Sequence, residues 1–272
     1  MFSLTLVLGI FSAYRLNRLL EIQKISLPQI SFWQFLLYFI VATLFILFVS
    51  YFLKFKRGKG VFYKGIFVLA VVWGGLISLS SLMPDIFALI LMTVLLLWWL
   101  KKPSVAVHNI VVILGIAGMG AVLGLQLTPL VIVALLLILS VYDFIAVYKT
   151  KHMVRMAKDM LAYRVILALI VPQEIADFGT EIKEVKAGGK FLILGGGDVA
   201  FPLLFCASLI PAGVSYSLIV AGFALIGLFF SFWIFVNQKV RQPIPALPPI
   251  ALFSILGYLS SAFLTKVLDL FC

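Results

Sequence analysis

The chain has 272 residues, of which 64% are hydrophobic and only 11% charged. An ordinary soluble domain is excluded, since about 25% of its residues would be charged. The formal net charge of +11 does not mark a nucleic-acid binder, because the basic residues sit in short clusters between apolar runs and not along one solvated face.

The apolar runs repeatedly approach or reach the ~20 residues that cross a bilayer. Taken in order they predict nine spanning helices, near Phe2–Leu20, Ile30–Leu53, Phe62–Leu82, Pro84–Leu100, Ala106–Gly124, Thr128–Tyr148, Lys190–Ile210, Gly213–Val236 and Ile244–Leu270. The first run has no basic segment before it and no small-residue cleavage site after it, so it reads as a span and not as a signal peptide. Cys206, inside an apolar run, and Cys272 supply neither a disulfide framework nor a metal-ligand spacing.

Lysine and arginine set the expected orientation. Lys54, Lys56, Arg57, Lys59 and Lys64 follow span two, Lys101 and Lys102 follow span four, and Lys239 and Arg241 follow span eight. Eight more basic residues lie from Lys149 to Lys190. With nine spans these clusters share one side, while the connections SLMPD, LQLTP and PAGVS on the other side hold no basic residue. The positive-inside rule then puts the amino terminus in the cytoplasm and the carboxyl terminus outside. Arg15, Arg18 and Lys24, near the outer end of span one, snorkel to the interface in this arrangement.

The only long connection runs over residues 149–189 and is cytoplasmic in this topology. Arg155, Lys158 and Asp159 recur at helical spacing among Met, Val, Leu and Ala, as in an interfacial amphipathic helix, with Lys151 and His152 as interfacial anchors. The apolar run Val165 to Val171 is too short to span. Residues Glu181 to Lys186, Val185 among them, alternate polar and apolar, which suits either a strand with an unpaired edge or a polar loop. No repeat or separate soluble domain is evident. Residues 1–272 read as one unit: 1–148 carry helices one to six, 149–189 the loop, and 190–272 helices seven to nine.

Of ten Asp and Glu residues, only Asp143 and Asp198 sit well inside apolar runs. An acid at the centre of a spanning helix costs ~2.5 to 3.5 kcal/mol on insertion scales, so packing alone does not explain two. Asp143 precedes Lys149 by six residues and Asp198 follows Lys190 by eight, which puts each roughly 9 to 12 Å from the cytoplasmic end of its helix. The two helices run in opposite directions, so the acids can face each other at similar depth. Two carboxylates in contact tend to share one proton, leaving one as acid and the other as base. That division of roles activates a water against a peptide carbonyl.

The segment LILGGGDVAFP around Asp198 also satisfies G-x-G-x-x-A at Gly195, Gly197 and Ala200, the start of a dinucleotide-binding turn. That reading fails because a carboxylate would occupy the phosphate site and no acid follows about twenty residues on to take a ribose hydroxyl. The glycines instead suit close backbone approach and room for water beside Asp198.

At these residues the sequence resembles the presenilin and signal peptide peptidase family of GxGD intramembrane aspartyl proteases, most closely its prokaryotic presenilin homologues. The family's Tyr-Asp motif matches Tyr142-Asp143, its Gly-x-Gly-Asp motif Gly195 to Asp198, and its Pro-Ala-Leu motif Pro245, Ala246 and Leu247, in order and on the sixth, seventh and ninth spans. The resemblance implies Asp143 and Asp198 as the catalytic dyad, with the proline-rich motif packed beside it, and an unwound substrate adding a strand nearby. Read from the residues alone, Pro243, Pro245, Pro248 and Pro249 delay the last helix until the Leu247 to Ile250 region. Exposed backbone there is tolerated if it lines a wet cavity. The Tyr142 hydroxyl could bond a carboxylate or a substrate backbone, or the ring could be ordinary core.

The expected protein is thus an all-α, presenilin-like membrane protein that hydrolyses peptide bonds in single-span membrane proteins or membrane peptides. It works within the lipid bilayer, with no cofactor or metal, no nucleic acid and no obligatory accessory subunit. The resemblance suggests a prokaryotic cell membrane. The loop is shorter than the autocleaved loop of eukaryotic presenilins, and the inferred orientation matches presenilin and opposes signal peptide peptidase. The alternative is an ion-conducting or proton-coupled transport protein using the same two acids, which would be expected to show paired interrupted helices in its two halves. A prepilin-type peptidase would need its acids in or beside cytoplasmic loops, and Asp143 lies too deep.

Overall fold

The computed structural model describes residues 1–52, 56–148, 166–185, 190–238 and 243–271. Six helices come first: α1 (Phe2–Gln23), α2 (Phe32–Phe52), α3 (Lys56–Ser80), α4 (Asp85–Lys101), α5 (Val105–Gln126) and α6 (Pro129–Tyr148). Two strands follow, β1 (Ala168–Pro172) and β2 (Phe191–Gly195), then α7 (Gly196–Ser208), α8 (Val214–Val236) and α9 (Leu247–Phe271). These nine helices of the described residues match the apolar runs, usually within a few residues at each end.

Among the described residues, four segments are long and apolar enough to cross a bilayer: Gly60–Ser80, Val105–Gln126, Pro129–Tyr148 and Val214–Val236. Their burial separates one from the rest. In its most apolar stretch α5 is 78% buried, against 22 to 33% for the others, so α5 is the central post. α1, α3 and α7 pack on it. Outward faces are rich in large apolar side chains, such as Trp33, Leu37 and Phe45 on α2 and Leu137, Val141 and Phe144 on α6. In water such a surface would drive association; in hydrocarbon it is the expected exterior, and the chain is an integral membrane protein.

Lipid tails are as apolar as leucine, so helices in a bilayer hold together by close van der Waals contact and not by burial. α3 and α5 achieve this through glycines. A Cβ added at Gly74 would collide with the Gly115 carbonyl, and one at Gly118 with the Gly74 carbonyl.

The seventh expected span departs from the continuous helix expected over Lys190–Ile210. Its first part is β2, which pairs antiparallel with β1 from Ala168↔Gly195 to Pro172↔Phe191. α7 begins only at Gly196. Short apolar runs such as FLIL and ALIV do not separate strand from helix by periodicity, and here long-range pairing decides. The protein is therefore not wholly α. Of the stretch expected to be strand-like, Glu181–Lys186, the described part forms instead a 3-10 turn at Ile182–Glu184, and Lys186 lies outside the described residues. Ile182 and Val185, three residues apart, are both buried in a second small core with Val105, Ile166, Ala168, Ile170 and Phe191. The Val185 N–H donates to the Ile182 carbonyl at 3.2 Å, so no open edge lies there. This segment is tied to the start of α5 by Val105 N–H to Thr180 O at 3.0 Å and Ile182 N–H to Pro103 O at 2.9 Å. The amphipathic helix expected around Arg155, Lys158 and Asp159, with Lys151 and His152, lies outside the described residues.

The glycine contacts make a paired prediction about stability. Gly118→Ala should lower thermal stability by about 1 to 3 kcal/mol, because two backbones cannot both give way. Gly222→Ala on α8 meets nothing within 4 Å and should be neutral or gain up to about 1 kcal/mol of helix propensity. Thermal unfolding of both purified variants checks the opposite signs.

Candidate active site

The site is built where α6, α7 and α9 meet. Asp143 on α6 and Asp198 on α7 are 6% and 8% exposed, the two acids among the buried polar residues. They lie near enough for Asp143 to act electrostatically on Asp198, so the structure brings the two sequence-selected acids together.

Each carboxylate also has backbone beside it. Asp198 is the third residue of α7, whose N-cap is Gly195, and its carboxylate lies beside the Gly195 backbone. A third-position acid reaching back to the N-cap N–H is half of a capping box, and it satisfies a donor that the helix start leaves unpaired. Leu247, the first residue of α9, donates its N–H to Asp143 Oδ2 at 3.4 Å. The prolines before it explain why that donor is available: the helix starts at Leu247, as the proline spacing predicts.

The rest of the Pro-Ala-Leu segment is anchored to α8. Pro245 is buried, and the Ala246 carbonyl accepts from Ser231 Oγ at 3.2 Å. A Cβ at Gly227 would come within 2.7 Å of Ile250 Cα, so α8 and the first turn of α9 are in backbone contact. Leu247 therefore has little freedom to leave Asp143.

The three glycines divide the work differently from the sequence expectation. Gly195 ends β2 and caps α7. Gly197 is open, since a Cβ there would meet only the Phe201 ring at 3.8 Å. Gly196, the variable position of the motif, is the crowded one. Its N–H donates to the Leu167 carbonyl at 2.8 Å, and an added Cβ would lie 2.6 Å from that same oxygen. The unbroken glycine triplet is the one sign of Gly196's role in the sequence. Tyr142 is 61% exposed and turned outward, and no described residue bonds its hydroxyl. Among the described residues, no three His, Cys, Asp or Glu side chains cluster as metal ligands would.

This arrangement fits the relatives of the chain. The chain belongs to the signal-peptide peptidase, presenilin aspartyl protease family, whose profile matches residues 4–267. It is an aspartic endopeptidase of the intramembrane-cleaving kind, and family membership favours proteolysis over ion conduction or transport. Two solved structures of a presenilin-family intramembrane aspartate protease share the fold. The one in space group P2 superposes with a TM-score of 0.64 at 24% identity, covering 97% of this chain and 96% of that one. The one in space group C222 gives 0.63 at 20% identity, with coverages of 96% and 93%. No curated protein has significant sequence similarity to the chain.

The glycine geometry generates a second prediction. Gly196→Ala should lower thermal stability by about 1 to 3 kcal/mol, because its Cβ opposes a backbone oxygen. Gly197→Ala should unfold within about 0.5 kcal/mol of the parent. Equal losses in thermal unfolding would show that the crowding is not confined to Gly196.

Proposed function

We propose that Asp143 and Asp198 are the catalytic dyad of this protease, acting on peptide bonds within or near the cytoplasmic end of substrate transmembrane helices. The observation that carries the reading is the convergence of the two buried acids from helices α6 and α7, with the N–H of Leu247 on one of them. The pair holds one proton. The ionised carboxylate removes a proton from a water, whose oxygen attacks the carbonyl carbon while the protonated partner donates to the carbonyl oxygen. Collapse of the tetrahedral intermediate breaks the C–N bond, the amine leaves with a proton, and the dyad returns to one proton. Gly195 and Gly197 keep space beside Asp198, and Pro245, Ala246 and Leu247 shape the wall next to Asp143. Tyr142, facing outward from the same turn of α6, meets the arriving substrate backbone.

The substrates are single-span membrane proteins or membrane peptides, because the dyad is carried on apolar helices at membrane depth. Nine segments cross the bilayer in this reading, the seventh as β2 continued by α7, and residues 1–272 form one protease unit. The lysine and arginine clusters between helices put the amino terminus in the cytoplasm.

Asp143→Ala and Asp198→Ala should each abolish cleavage of a tagged single-span substrate while thermal stability holds or rises, since an intramembrane acid costs energy. Substantial cleavage by both variants would sink the dyad. Because only the singly protonated pair works, activity of the parent should follow a bell across about pH 4 to 9. A monotonic profile with the protein folded throughout would count against it.

A further inference from the structure

Two fully buried polar side chains at the start of α5 are not used by the chemistry above. Asn109 is 2% exposed and His108 0%. The Asn109 amide makes a two-way bond with β1: Nδ2 donates to the Ile170 carbonyl at 2.7 Å, and the Ile170 N–H donates to Oδ1 at 2.8 Å. A neighbouring strand would satisfy Ile170 in the same manner. His108 adds the next contact along β1. Trp99 Nε1 donates to His108 Nδ1 at 3.4 Å, so the proton of the neutral ring sits on Nε2, which donates to the Ala168 carbonyl at 3.2 Å. Phe67 stacks on the imidazole at 5.9 Å and 4°. α5 thus stands in for a third strand on the outer edge of β1.

The pairing parity then determines what β2 offers. Ile170 turns both of its backbone groups to Asn109, away from β2, so its cross-strand partner Ile193 also turns its N–H and C=O away from β1. The ladder bonds on either side agree with this alternation: Gln173 N–H to Lys190 O at 3.0 Å and Gly196 N–H to Leu167 O at 2.8 Å. The sheet has two strands, and among the described residues nothing pairs with the outer edge of β2. Ile193 therefore presents a free donor and acceptor five residues before Asp198, where an extended peptide segment can add by main-chain bonds.

Apolar packing of β1 is non-directional and would tolerate sliding of the sheet along α5. The directional contacts that resist it are the single His108 bond to Ala168 and the two Asn109 bonds to Ile170, and only Asn109 holds both backbone groups of one β1 residue. Asp143 stands on α6, which the sheet does not carry, so any slide moves the Ile193 edge relative to one half of the dyad. We propose that Asn109 is a positioning residue for proteolysis: by locking Ile170 to α5 it fixes where the β2 edge holds a substrate strand against the dyad, and so sets the bond that is cut. This rests on the dyad assigned above.

The test measures product masses, kcat and KM for purified Asn109→Ala, with Met92→Ala, a buried α4 site packed on Gly75, as the control for general loss of stability. Asn109→Ala should lose roughly ten- to a hundredfold in kcat, with less change in KM, and should add cut positions absent from the parent. Met92→Ala should keep the parental cut positions. A parental product spectrum from Asn109→Ala, with a kcat loss no larger than that of Met92→Ala, would overturn the proposal. If Asn109→Ala does not fold, Asn109→Asp decides by the same two outcomes, since it keeps an acceptor for the Ile170 N–H but sets an oxygen against the Ile170 carbonyl. Asp143→Ala and Asp198→Ala run alongside. Cleavage by them would defeat the dyad, whereas dead dyad variants with unaltered cutting by Asn109→Ala would defeat this inference alone.

Discussion

A carboxylate placed inside a bilayer needs polar company, and most of this molecule can be read as the means of providing it for two. Asp143 and Asp198 are supplied from three directions: by each other, by the Gly195 backbone at the start of α7, and by the N–H that prolines leave unpaired at Leu247. Helix starts are where unpaired donors exist. Two of the three helices at the site accordingly begin there, α7 at Gly196 and α9 at Leu247. A continuous helix at either position would have used its N–H groups internally and left the acids to hydrocarbon.

Starting α7 late raises a second problem, because the chain leading into it, Phe191–Gly195, is extended. Extended backbone is tolerated at membrane depth only when buried in protein or beside water. β1 covers one edge of that strand, and β1 is in turn covered by Asn109 and His108 of α5. The remaining edge, at Ile193, has no backbone partner among the described residues and lies five residues before Asp198. α5 can serve because it is the most buried of the four long apolar segments, gripped by glycine contacts to α3 and to α7. Rigidity at the post, satisfied backbone in the sheet and open backbone at the dyad form one chain of dependence.

Much of this was legible in residue order. Long apolar runs located the helices, because membrane length and hydropathy leave few alternatives. Two acids out of place marked the candidate site, and the proline spacing located the start of α9. What stayed hidden was set by partners distant in sequence. Phe191–Gly195 is apolar without alternation, so nothing local distinguished it from the helix it precedes. The alternation of Glu181–Lys186 suggested a strand, yet its buried pair, Ile182 and Val185, is spaced for a 3-10 turn. Asn109 sits in an apolar helix as one neutral amide, and only the Ile170 backbone opposite gives it meaning. Gly196 looked like a spacer between two motif glycines until the Leu167 carbonyl was found against it.

The central claim is that the two acids act as one unit. Affinity for a transition-state mimic bearing a hydroxyl in place of the attacking water tests this most directly, measured as a double-mutant cycle over Asp143→Asn and Asp198→Asn. The account predicts that either single change loses about as much affinity as both together, as expected of groups that share one proton and one ligand atom. Losses that simply add would mean two independent acids, and would contradict it.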